Sequence, residues 1–256
     1  MSPPTFVAPG PFGRGQQVTL GEADAHHIRV RRLDVGARIA LVDGQGARAH
    51  GVLVRVATRS ACVEVEEAAH EPRPVPVHLL VPVADKERML LVAEKAAELQ
   101  AASWRPVVFR RSRSVAGRGE GPMFVRKVQA RMTAALEQSG GAWLPVIYPD
   151  ANVERAISGV PDGTRIVLSP AGRPLMAVAG VALRGEPGLS MGSVSAPLAV
   201  SVVVGPEGGI EPDELGAFEA AGFVPAAIGR NTLRFETAAV AALGAVQSLL
   251  HAHGGD

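Results

Sequence analysis

The stretch Ser201-Val202-Val203-Val204-Gly205-Pro206-Glu207-Gly208-Gly209-Ile210-Glu211-Pro212-Asp213-Glu214-Leu215 decides the fold class. A β-branched apolar run feeds directly into a glycine turn, and a helix start follows, with Pro212 in its first turn and Asp213 and Glu214 near its positive end. Strand, glycine turn and helix in immediate succession are the building unit of a parallel α/β sheet, whose carboxyl edge is where such folds bind small molecules. Glycines there let a ligand approach the backbone closely. The loop matches neither GxxxxGK[ST] nor GxGxxG, and Glu207 would repel a phosphate, so a neutral or cationic ligand fits better. Taken alone, the same turn also serves as a plain tight connection.

A second unit follows at Ile228-Gly229-Arg230-Asn231-Thr232-Leu233-Arg234-Phe235-Glu236-Thr237-Ala238, where a strand candidate (223–229) ends in a glycine loop and an alanine-rich helix (235–252) begins. Glu236 in that first turn is equally a simple helix-start residue favoured by the macrodipole. Two glycine loops after successive strands fall on one sheet edge and can wall one pocket.

Upstream the rhythm is the same. Residues 75–83 read as a buried strand, and 87–102 have helical spacing through Met89, Val92, Ala96 and Leu99. Strand candidates at 105–109 and 164–170 and a helix over 125–138 ending at Gly140-Gly141 continue the pattern. Before Pro72, Pro74 and Pro76, which favour an extended connector, the chain instead reads as short strands. Residues 38–56 hold two β-rich runs around Asp43-Gly44-Gln45-Gly46, and 61–66 alternate with period two. We therefore expect a small β-barrel over 1–72 and an α/β domain over 73–256.

Of 256 residues 47% are hydrophobic, ample for a core, and 29 Gly with 20 Pro stay below the level of low-complexity chains. The single cysteine, Cys62, excludes an intramolecular disulfide framework and multi-cysteine metal sites, and it is expected to face away from the strand face carrying Ala61, Val63 and Val65. The seven histidines have no metal-ligand spacing, so no metal is expected. Residues 1–17 lack a signal-peptide pattern and no long apolar run follows, which predicts a cytoplasmic protein without membrane contact.

The net charge of +1 hides an asymmetry. Residues 1–131 carry 20 Lys and Arg against 13 Asp and Glu, a balance of +7, whereas residues 132–256 carry 6 against 12, a balance of −6. Between Arg105 and Arg131 eight basic residues face only Glu120. Such a block suits a polyanionic partner, and it suits a solvated loop equally well.

Five stretches taken together resemble a known family. Gly205 to Ile210, Ile228 to Ala238, Glu94 to Gln100, Glu137 to Gly140, and His26 to Leu33 followed by Val35-Gly36 are similar, in order and spacing, to the motifs of the RsmE-type ribosomal RNA methyltransferases of the SPOUT superfamily. This sequence departs from the family pattern at Asn231 and Gly141, where arginines are usual, and at Gln100, where a glycine is usual.

The resemblance implies a PUA-like β-barrel followed by a SPOUT α/β domain with a carboxyl-terminal trefoil knot, acting as a homodimer. It implies S-adenosylmethionine bound by Leu168, Ser169, Gly205, Pro206, Glu207, Gly208, Gly209, Ile228, Gly229, Asn231 and Leu233. The reaction it implies is methylation of N3 of a uridine in 16S ribosomal RNA, with the small ribosomal subunit as partner. Arg234 would stabilise charge on the uracil oxygens and Glu236 would take the N3 proton. RNA contacts would fall to Arg29, Arg31, Arg32, Arg110, Arg111, Arg113 and Arg118 and would be strongly salt-dependent, since aromatic residues for base stacking are few. The rival expectation is a non-catalytic RNA-binding or ribosome-assembly protein that keeps the fold.

Overall fold

The computed structural model describes residues 3–112, 119–184 and 199–253. The chain divides into two units, residues 1–73 with 133–144, and residues 74–132 with 145–256.

The first unit holds β1 (Thr5–Val7), β2 (Gln17–Leu20), α1 (Glu22–Val30), β3 (Arg38–Val42), β4 (Ala47–Val56) and β5 (Ala61–His70). Its sheet runs β1-β3-β4-β5-β2, parallel only between β1 and β3. The hairpin expected at 43–46 joins β3 to β4: Gly44 and Gly46 take left-handed φ values of 73° and 99°, and Asp43 Oδ1 accepts from Gln45 N and Ala47 N. The register of β4 against β5 shifts at His50/Gly51, and a Cβ on Gly51 would stand 2.2 Å from the Glu64 carbonyl oxygen. Phe6, Ile28, Ile39, Leu41, Leu53 and Val63 are fully enclosed in the core.

Helix α1 was not expected from periodicity, because only Ala25 and Ile28 of its nine residues are buried. Cys62 lies opposite the core face of β5 as alternation predicts, yet it is itself only 4% exposed, with Sγ 3.6 Å from Gln17 Oε1.

Residues 133–144 complete this unit. Glu137 Oε1 accepts from Val7 N at 3.1 Å, and Arg48 Nη2 donates to the Gly140 carbonyl at 2.7 Å. Burial pushes the Glu137 carboxyl above its ordinary range, against the opposing effect of the Val7 hydrogen bond. A carboxyl raised on folding stabilises the fold below its unfolded pKa, and that contribution is lost as pH rises through the folded value. Glu137→Gln keeps the acceptor and removes the charge. Thermal melts should place this variant at or above the natural protein at pH 7, with the gap closing near pH ~4; a variant less stable at pH 7 than at pH 4, relative to the parent, would contradict this.

The second unit holds β6 (Val77–Pro82), α2 (Lys86–Glu98), β7 (Ser103–Val107), most of α3 (Gly121–Ser139), β8 (Val146–Ile147), α4 (Val153–Ser158), β9 (Gly163–Pro174), α5 (Leu175–Arg184), β10 (Ala199–Val203), α6 (Pro212–Ala220), β11 (Val224–Ala227) and α7 (Phe235–His253). All six strands pair in parallel in the order β11-β9-β10-β6-β7-β8. β10 is buried along its whole length, which explains why four of its five residues are apolar, Ser201 being the exception. Leu80, Val107, Phe109, Val167, Val203, Phe218 and Phe223 form a core on one side of this sheet.

α2 ends at Leu99, and Gln100 follows with φ of 54°, the left-handed conformation that ends many helices and that glycine adopts at least cost. The charges of Glu94, Lys95 and Glu98 on α2 answer one another: Lys95 Nζ lies 3.0 Å from Glu94 and 2.7 Å from Glu98, and Arg131 pairs with Glu94 at 3.1 Å.

Candidate functional site

Three loops at the carboxyl ends of adjacent strands build one cleft. The first arises inside β9. Its pairing with β11 jumps from Val167↔Pro225 to Arg173↔Ala226, so residues 168–172 leave the ladder and loop outward. The return is tight: a Cβ on Gly172 would stand 2.4 Å from Ala226 N.

The second loop is the glycine turn after β10. Gly209 takes φ of 78° and its N–H donates to the Pro206 carbonyl, closing the turn, while a Cβ on Gly205 would lie 2.6 Å from Ile210 Cγ1. α6 then starts on a reciprocal acidic cap. Glu214, 8% exposed, accepts from Glu211 N through Oε2 and from Arg110 N through Oε1. The third loop, 228–234, runs from β11 into α7.

Between the loops lies a cleft of ≈ 250 Å³. Leu168, Ser169, Gly205, Pro206, Glu207, Gly209, Ile228, Gly229, Asn231 and Leu233 line it, together with Pro170, Ile210, Leu215, Thr232, Phe235 and Ala238, which sequence reasoning left out. Gly208 does not line it. The position of its Cβ faces Arg111 at 3.3 Å.

Glu207 is the one charged side chain among the lining residues; the remaining walls are apolar or neutral. Apolar walls and close-approach glycines suit a flat aromatic base, and the lining residues offer no cation to hold a polyphosphate. The residues present therefore fit S-adenosylmethionine.

Glu236 stands in the first turn of α7, 9% exposed, and its Oε2 is buried with no hydrogen-bond partner. Arg88, from the first turn of α2, donates through Nη1 to Glu207 Oε1 at 2.9 Å and brings Nε to 3.8 Å from Glu236 Oε1. Nothing in the sequence flagged Arg88, which lies far in sequence from both carboxylates. Arg234 is exposed between the cleft residues Leu233 and Phe235.

Two of the arginines expected to bind RNA are engaged elsewhere. Arg111 forks onto Glu211 at 2.7 and 2.9 Å and donates to the Gly208 carbonyl at 2.7 Å, holding the Glu211 carboxyl below its ordinary range. Arg110 pairs with Asp213. Arg113 and Arg118 lie outside the described residues. In the first unit Arg29, Arg31 and Arg32 are all exposed at the end of α1, and Arg32 takes φ of 54°. Among the described residues no group of three His, Cys, Asp or Glu is placed to hold a metal, and no helix is long and apolar enough to cross a membrane.

Comparison with known proteins bears on this geometry. A family model described as an RNA methyltransferase domain matches residues 71–247, and one described as an RNA methyltransferase PUA domain matches residues 20–66. Ribosomal RNA small subunit methyltransferase E of Mycobacterium bovis is 31% identical over 240 residues, 90% of this chain and 85% of that protein. The protein of the same name from Synechocystis is 26% identical over 236 residues, 91% of this chain and 73% of its own length. Among solved structures, a ribosomal RNA small subunit methyltransferase E from Neisseria gonorrhoeae bound to S-adenosyl methionine superposes with a TM-score of 0.80 at 26% identity, covering 97% of this chain and 98% of that one.

Proposed function

This chain belongs to the ribosomal RNA small subunit methyltransferase E family, and on that premise we propose that it methylates N3 of a uridine in 16S ribosomal RNA. It is an S-adenosylmethionine-dependent rRNA methyltransferase with a PUA-like amino-terminal domain and an α/β methyltransferase domain. The observation that carries the reading is the three-loop cleft, with a single carboxylate in its wall and a bare carboxylate oxygen on Glu236.

Leu168, Ser169, Gly205, Pro206, Glu207, Gly209, Ile228, Gly229, Asn231 and Leu233 hold the cofactor. When bound, S-adenosylmethionine supplies a methyl group activated as a sulfonium, whose leaving group is a neutral thioether. The chain's own residues manage the substrate proton. Uridine N3 carries a proton in the neutral base, so N3 becomes a nucleophile only as that proton leaves. Glu236 Oε2 is an acceptor with no competing donor and takes it; Arg234 offsets the charge that develops on the flanking uracil oxygens. A uridine in a helix must be splayed out to reach these groups.

RNA binding falls to Arg29, Arg31 and Arg32 of the barrel, residues 1–72, with catalysis in residues 73–256. A trefoil knot formed by the carboxyl-terminal segment, a homodimer and a cytoplasmic setting complete the proposal. The β11-β9-β10 order, in which the chain leaves β10 and passes β9 to reach the sheet edge, is compatible with such a knot.

Calorimetric titration of the protein with S-adenosylmethionine tests the cofactor assignment. Saturable binding of one molecule per chain is expected. Absence of heat at high ligand concentration would favour the non-catalytic RNA-binding alternative.

A further inference from the structure

Arg88 joins two carboxylates on different elements, Glu207 in the glycine turn after β10 and Glu236 in the first turn of α7. Its backbone is fixed at the start of α2, where Asp85 Oδ1 accepts from both Glu87 N and Arg88 N at 3.1 Å. From there the guanidinium reaches Glu207 on the glycine turn after β10 and Glu236 on the first turn of α7. The side chains of Arg88 and Glu207 are 38% and 46% exposed, whereas that of Glu236 is 11% exposed.

The two ends of the Glu236 carboxylate therefore differ. Oε1 faces the guanidinium; Oε2 is buried and bare. An unpartnered buried carboxylate oxygen costs the full desolvation of a charged acceptor, and such atoms in folded proteins call for a functional reason. A carboxylate oxygen only accepts, so what completes this one is an N–H or O–H donor.

We propose that Arg88 is the positioning residue of the transfer step: it pins Glu236 through Oε1 so that Oε2 is left to receive the substrate proton, and through Glu207 it keeps that acceptor in register with the cofactor loop. This rests on the reading of Glu236 as proton acceptor. An arginine is suited to the task because its planar fork spans two carboxylates at once, which a lysine ammonium does less well. A direct grip on an RNA phosphate is the competing role for a partly exposed arginine, and it would act on RNA affinity, leaving turnover unchanged.

The test uses full-length R88Q, R88K, E236Q and the double variant R88Q/E236Q, with labelled S-adenosylmethionine and small-subunit rRNA. R88Q should lower kcat by about 10–100-fold, with RNA KM within about threefold of the parent. R88K should be intermediate. In the E236Q background R88Q should add nothing further, because both changes remove one function. Independently of turnover, amide exchange of Gly209 in the cofactor-free protein should quicken in R88Q as the turn loses one of its two arginine anchors, Arg111 remaining on the Gly208 carbonyl. Parental kcat in R88Q, an effect confined to RNA KM, effects that multiply in the double variant, or unchanged exchange would each overturn the proposal. Should R88Q fail to fold, R88K decides: parental kcat there overturns it. Full activity of E236Q would overturn the reading of Glu236 itself, a distinguishable result.

Discussion

Gly229→Val should abolish cofactor binding while leaving the protein folded. Gly229 lines the cleft, its φ lies outside the left-handed range, and a Cβ there would meet no atom within 4 Å. Valine thus fits the backbone without strain or clash and places two methyl groups beside the cofactor space. Neighbouring glycines are poorer choices. A side chain at Gly205 collides with Ile210, and Gly209 requires its left-handed φ, so loss of binding there would be confounded with loss of the turn. Calorimetry should show S-adenosylmethionine affinity falling by at least ~100-fold, about 3 kcal/mol, with the melting midpoint within a few degrees of the parent. Undiminished affinity would show that the cofactor does not lie against the 228–233 loop.

Glu236→Gln should cut turnover by about 10²–10⁴-fold, the usual worth of a positioned general base, with cofactor affinity within about threefold. The substitution is isosteric and Glu236 is not among the residues lining the cleft, so cofactor binding and proton transfer separate cleanly. The structural alternative makes a different prediction. If Glu236 serves only the positive end of α7, E236Q loses about 0.3–1 kcal/mol of stability and keeps its kcat. Steady-state kinetics beside a thermal melt distinguishes the two outcomes directly.

Much of this site was legible in the chain because it is local. Strand, glycine turn and acidic helix start are contiguous at 201–215, and the same succession recurs at 223–238, so two walls of the cleft follow from reading along the sequence. Gly208 and Gly209 look alike there, and only the folded turn separates them: one lines the cleft, the other carries Arg111. The 168–172 excursion depends on β11 pairing with β9 across a register jump, which no local pattern encodes.

Long-range ion pairs escaped the sequence for the same reason. Arg110 and Arg111 read as part of a polyanion-binding block, yet their partners are Asp213, Glu211 and the Gly208 carbonyl at the mouth of the next loop. The −6 half of the chain thus supplies carboxylates that neutralise part of the +7 half within one unit. Arg29, Arg31 and Arg32 at the end of α1 are exposed. Gln100 shows the converse: it departs from a family glycine, and its φ of 54° marks a helix-end position where glycine is merely the easiest residue.

The central claim, that this chain moves a methyl group from S-adenosylmethionine to a uridine of small-subunit rRNA, is tested most directly by incubating the protein with methyl-labelled S-adenosylmethionine and small-subunit rRNA, free or in subunits, and digesting the RNA to nucleosides for mass spectrometry. The account predicts label in 3-methyluridine, appearing at least ~100-fold more slowly when Glu236→Gln replaces the parent. Label in a different nucleoside, or none in RNA although the cofactor binds, would contradict it.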